Sequence, residues 1–147
     1  MNTQWRLFAV FLLLISSACA HRVTFRKDPL PTRTVAERIH FPFGKKMVSF
    51  DDQKVLEEIA ELMDQDKNSV AILEGHADPI GANSSNEILS EERARDIRVR
   101  LRDLGVEASR LTIISKGEQD PLVLSRNREG NAPNRRVEIQ VTLTDSK

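Results

Sequence analysis

Residues 75–96 read GHADPIGANSSNEILSEERARD, and the division of this stretch between strand, turn and helix decides the fold. It follows VAIL, residues 70–73, a compact apolar run bounded by Asn68-Ser69 and by Gly75. A short apolar run between turn residues is the pattern of a strand buried on both faces. Ser84 with Glu87 three residues later has the form of a capping box. Leu89 or Ser90, then Ala94, Ile97, Leu101 and Leu104, recur at helical spacing, and Gly105 is a natural stop. The stretch is thus the link between a strand and an amphipathic helix whose arginines 95, 98 and 102, with Asp103, lie off the apolar stripe as a solvated face.

The same pattern extends in both directions. Upstream, IHFPFG (residues 39–44) alternates and ends at Gly44, an opening strand whose Pro42 places it at an edge or a bulge. Ser49-Phe50-Asp51-Asp52 offers a cap with acids in the first turn, ahead of Val55, Leu56, Ile59, Leu62 and Met63 on one helical face. Downstream, LTII (residues 111–114) repeats the buried-strand pattern. Val137, Ile139, Val141 and Leu143 alternate with Glu138, Gln140 and Thr142, a strand with one wet face. The polar loop between them carries a short helical piece. The expected fold is α+β, a two-layer α/β sandwich with the order βαβαβ(α)β.

A chain of 147 residues has room for one domain with its own core. Its 22 basic and 22 acidic side chains balance, so composition carries no footprint for nucleic acid. Residues 1–18 have the organisation of an export signal: a short start with Arg6, the apolar run LFAVFLLLI, then small residues. That run is well short of the roughly 20 apolar residues that a transmembrane helix needs. Cys19, the single cysteine, ends the signal, where it has no disulfide partner. The stretch ISSAC resembles a bacterial lipobox, in which the cysteine is acylated and becomes the new N-terminus; Ser16 stands where a lipobox usually has leucine. Ordinary cleavage after Ala18-Cys19-Ala20 is the other reading. Residues 19–37, with two prolines and mixed charge, read as a tether, and residues 38–147 as the folded domain.

Within residues 75–96, Asp78 stands in the turn and Arg93 fifteen residues on in the helix. Arg93 lies four residues after Leu89 and four before Ile97, on the rim of the buried stripe, where it can reach back over the helix start. Strand ends beside helix N-termini are common places for ligand sites. The pair reads either as a salt bridge or as two halves of a clamp for an external group, and Asn86 as a turn residue or a contact.

GHADPIGANSSNEILSEERARDI, followed by GEQDP and EGNAPNRRVEI, resembles the C-terminal domain of OmpA-like proteins, a module shared with peptidoglycan-associated lipoproteins and flagellar stator proteins. The resemblance spans about residues 38–143 and joins several motifs in order. It implies non-covalent binding of peptidoglycan, with an acid and an arginine gripping diaminopimelate of the stem peptide. By motif position these are Asp78 and Arg93, with Asn86 and Leu89 shaping the crevice, Arg135 in a supporting contact and Arg136 structural. The free end of diaminopimelate carries an ammonium and a carboxylate on one carbon, which a carboxylate and a guanidinium fork can take separately. Departures from the family pattern are Ala77, Asn131 and Gly44, and each implies the loss of a secondary hydrogen bond. The resemblance further implies an outer-membrane lipoprotein anchored at Cys19, with Ala20 next to it carrying no acidic retention signal, and its domain in the periplasm. An adaptor of the Tol-Pal type, with a protein as partner, is the alternative. A stator is disfavoured because no transmembrane run is present in this sequence.

Catalysis has little support in these residues. His76 and Asp78 form an H-x-D pair, yet His21 falls in the tether and His40 in the first strand, so no set of three metal ligands or other cofactor site is expected. Neither a serine-histidine elbow nor a close carboxylate pair is evident.

Overall fold

The computed structural model describes residues 32–144. The element order is β1 (Thr32–His40), α1 (Gln53–Gln65), β2 (Val70–Gly75), α2 (Asn83–Asp103), β3 (Leu111–Ser115) and β4 (Arg136–Thr144), with 3-10 turns at Ala108–Arg110 and Ala132–Asn134. The sheet order is β1-β4-β2-β3. β4 is antiparallel to both neighbours, while β2 and β3, joined through α2, run parallel. The last strand thus sits inside the sheet.

Two helices cover one face, and the core lies between the layers. Leu56, Ile59 and Met63 of α1 and Ala94, Ile97 and Leu101 of α2 meet Ala71, Leu73, Val137, Ile139, Val141 and Leu143, all buried. Fully burying each large aliphatic side chain contributes on the order of 1.5–3 kcal/mol. Gly75 marks the closest approach of the layers: a Cβ there would lie 2.0 Å from the Ser90 carbonyl oxygen. α2 ends in a Schellman motif, with Val106 N–H donating to Leu101 O and Gly105 N–H to Arg102 O, and Gly105 at a φ of 98°. No described helix is long and apolar enough to cross a membrane.

Several local expectations are corrected. β1 begins at Thr32, so residues 32–37 of the expected tether are strand, paired from Thr32↔Thr144 through Glu37↔Ile139. Apart from Val35, which is half-buried against the core, their side chains are exposed, as suits an edge strand, and one apolar position sets no period that would announce it. Pro42 and Gly44 fall beyond the strand. Neither β2 nor β3 is buried on both faces: Val70 and Ile72 are exposed, because the helices cover one side only. The Ser84–Glu87 box does not cap α2. The helix starts at Asn83, and Ala82 O accepts from the N–H groups of Ser85 and Asn86. Asp51 and Asp52 precede α1 rather than lie in its first turn, and Ser49 Oγ accepts from Asp52 N–H.

Candidate functional site

The chain leaves β2 at Gly75 and stays tied to the sheet for two more residues. His76 N–H donates to Arg136 O at 2.8 Å and Ala77 N–H to Gly117 O at 2.7 Å. Asp78 therefore leaves from a fixed point at the strand end. Its Oδ1 accepts from Ile80 N–H at 3.3 Å, a local turn contact. Its Oδ2 accepts from Arg135 Nη1 at 3.0 Å, an ion pair with both partners buried.

Arg135 enters from the residue before β4. Its Nε donates to Phe41 O at 3.1 Å and its Nη1 also to Arg128 O at 2.9 Å. Phe43, after β1, lies beneath both guanidinium groups, with its ring centroid 3.9 Å from Arg128 and 6.0 Å from Arg135.

Arg93 is not on the rim of α2 but wholly inside, at 0% exposure. Its Nε donates to Lys45 O at 2.9 Å and its Nη1 to His76 O at 2.8 Å. The Phe41 ring lies 5.2 Å from the guanidinium carbon, within cation–π reach. Nη2 is buried with no hydrogen-bond partner. Burial lowers the Arg93 pKa to about 10, opposed by the Asp78 carboxylate and reinforced by the Arg135 charge. The group stays cationic at neutral pH.

The structure thus brings Asp78, Arg93 and Arg135 together, but it joins Asp78 to Arg135 rather than to Arg93. Arg135 is a direct partner of the acid, more than the supporting contact expected of it. Asn86 is buried in the first turn of α2 and donates from Nδ2 to Glu118 Oε2 at 2.6 Å, tying the helix start to the long loop. Leu89 is half-buried one turn before Arg93. Arg136 points to the open face of the sheet, with Nε donating to Glu138 Oε1 at 2.8 Å. Cys19 lies outside the described residues, as do the signal, Ala20 and His21.

Sequence reasoning missed Phe41, Phe43, Arg128 and Glu118. Phe41 and Phe43 were legible only as apolar positions of an expected strand, and Glu118 stood unassigned within the quoted GEQDP. Asn131, a departure from the family pattern, pins the loop locally, with its Nδ2 donating to Ser125 O and its Oδ1 accepting from Ser125 N–H. Gly44 adopts a φ of 64° in the exposed turn after β1, and Ala77 is buried.

His76 turns its imidazole to the other side of the sheet and is 1% exposed. Burial, and secondarily the Arg136 charge, push its pKa down to about 4, so the ring is neutral at pH 7. Nε2 lies 3.3 Å from Glu74 Oε1 without hydrogen-bond geometry, and both ring nitrogens lack a partner. Among the described residues, no group of three His, Cys, Asp or Glu side chains could hold a metal ion.

Comparison with known proteins agrees with this architecture. The OmpA family model matches residues 40–135. Outer membrane porin F of Pseudomonas aeruginosa is 35% identical over 104 residues, covering 70% of this chain and 30% of that protein. A peptidoglycan-associated lipoprotein of Buchnera aphidicola is 30% identical over 101 residues, covering 69% of this chain and 58% of that protein. The chain therefore spans less than two thirds of either relative. The crystal structure of the peptidoglycan-associated lipoprotein from Burkholderia pseudomallei superposes with a TM-score of 0.69 at 25% identity, covering 71% of this chain and 88% of that one. With its four-stranded sheet, two helices and matched motif segments, the chain belongs to the OmpA family.

Proposed function

We propose that this chain binds peptidoglycan non-covalently, without turnover, through the free end of diaminopimelate held at Asp78 and Arg93. The observation that carries the reading is the buried Nη2 of Arg93, a charged donor with no partner, beside a carboxylate already engaged by another residue. An unpaired buried donor is costly and calls for an acceptor. A ligand carboxylate supplies one as a charge-assisted bond. The ligand ammonium takes the acceptor capacity that Arg135 and Ile80 leave on Asp78, since an ionised carboxylate offers about four lone-pair sites. Because all three side chains are buried, ligand entry requires local opening around them. Asn86 and Leu89 border the path from α2.

Acylation of Cys19 would place the chain on the outer membrane, with its domain in the periplasm bridging membrane and wall. The tether is then shorter than the sequence alone implies, because β1 begins at Thr32. Residues 20–31, fully extended, reach at most about 40 Å.

Co-sedimentation of the chain with purified diaminopimelate-type sacculi tests the site. Wild type should pellet, and folded Asp78→Asn and Arg93→Lys variants should stay in solution. Amidation of the diaminopimelate carboxylate, which removes the charge that Arg93 reads, should also weaken binding markedly. If all variants pellet alike, the two residues are structural. A periplasmic protein of the Tol type then becomes the leading candidate for the partner.

A further inference from the structure

Among the described residues β3 is an edge strand, and one side of its backbone faces away from the sheet. Lys116 N–H donates to Gly75 O in β2, so by the alternation of a parallel ladder Thr112 and Ile114 also direct their N–H and C=O groups toward β2. The backbone groups of Ile113 and Ser115 point outward. Beside this edge runs a groove of about 670 Å³ between β3 and α2, lined by Glu91, Arg95, Arg98, Val99, Arg102 and Ile113 together with Ser115.

The charge of the groove is one-sided. Arg95, Arg98 and Arg102 stand on one stripe of α2, and only Glu91 opposes them, paired with Arg95. Arg98 Nη2 donates to Ala108 O at 3.3 Å, while its Nε is buried without a partner. The opposite side of the same edge carries two β-branched residues of β3, exposed Thr112 and half-buried Ile114, paired across to Ile72 and Glu74 of β2. A strand added to β3 would present alternate side chains to these two different surfaces. Those on the helix side meet the arginines, and those on the open face meet the β-branched side chains of Thr112 and Ile114. Spacing agrees as well: carboxylates two residues apart on a strand are separated by about 6.7 Å, and Arg98 and Arg102 by about 6 Å along the helix axis.

From this geometry we infer that the β3 edge docks an extended segment of another protein in which acidic residues alternate with β-branched apolar ones, by strand addition. Main-chain bonds at Ile113 and Ser115 supply the pairing, and Arg98 and Arg102 select for the acidic side chains. The surface is separate from the Asp78 site and stands whether or not that site binds peptidoglycan.

The test uses the full chain and a synthetic heptapeptide alternating valine and glutamate, with the valine–lysine peptide as control. Binding of the acidic peptide is expected to slow amide exchange at Ile113 and Ser115 and to weaken as salt is added. Reversing Arg102 to glutamate should lower affinity on the order of tenfold, the loss of a favourable charge contact together with a new repulsion. Ile113→Pro, which removes an outward N–H tolerated at an edge, should abolish binding while the fold is retained. Equal binding of the lysine peptide, or unchanged exchange at Ile113 and Ser115, overturns the proposal. So does protection of those amides in the free chain: concentration-dependent protection would assign the edge to a second copy, and concentration-independent protection to the chain's own segment.

Discussion

Replacing Arg93 by methionine keeps an unbranched stem of similar length and removes the guanidinium. In the structure this orphans two carbonyl oxygens, those of Lys45 and His76, which accept from it at 2.9 and 2.8 Å. Each bond from a charged donor contributes about 1.5–3 kcal/mol, so the gross loss is about 3–6 kcal/mol. Against this stands the relief of removing a buried cation, which costs several kcal/mol to desolvate even when well bonded. Here one nitrogen has no partner at all, so the relief is substantial. The expected net destabilisation is about 1–3 kcal/mol. Urea unfolding followed by circular dichroism measures it as a fall in the midpoint at unchanged m-value, which separates lost stability from a change in compactness. Arg93→Lys should fall in between, since an ammonium retains the charge but loses the fork. A variant Arg93→Met as stable as wild type would refute the reasoning, because it would mean that the guanidinium does not tie the β1–α1 connection to the end of β2. The same measurement guards the sacculus assay, as only variants that stay folded report on ligand contacts.

Asp78→Asn and Arg135→Met should each destabilise the chain, and their double mutant should lose less than the sum; a coupling energy of about 1–3 kcal/mol in the cycle is expected for contacting charges, and a value near zero would dissolve the ion pair. Gly75→Ala should cost at least about 1–3 kcal/mol, because its methyl group would sit 2.0 Å from Ser90 O and force α2 off the sheet; an unchanged melting temperature would contradict that approach. His76 is held at a pKa of about 4 by burial, below its ordinary value of 6.5. The folded chain therefore favours the neutral ring, and this contribution is complete above about pH 6.5 and is lost as pH falls toward 4, by about 2–4 kcal/mol. Unfolding midpoints at pH 7 and pH 4.5 should show that loss, and His76→Asn should flatten it; an equal slope in both proteins would mean that other groups carry the acid sensitivity.

What was legible in the sequence follows from local period. Ala94, Ile97 and Leu101 recur at helical spacing and are buried, and Val137, Ile139, Val141 and Leu143 alternate and are buried. Gly105 ended α2 as expected because a positive φ is needed there whatever surrounds it. β1 was misplaced for the complementary reason. Residues 32–37 are mostly polar and exposed, with only Val35 half-buried against the core, and pairing with a nine-residue β4 makes them a strand. The burial of Arg93 was missed because helical position gives the side of a helix but not how deeply the opposing loop covers it.

The sequence by itself determined the kinds of elements, their order and the placement of Asp78 in the turn and Arg93 in the helix of the strand-to-helix link, since each depends on neighbours a few residues away. Tertiary structure alone decided that β4 lies between β1 and β2, that Arg135 reaches Asp78 across 57 residues and that Arg93 bonds Lys45 across 48. Partner choice among buried charges is set by which backbone ends the sheet order brings within about 3 Å, and no local period encodes that distance.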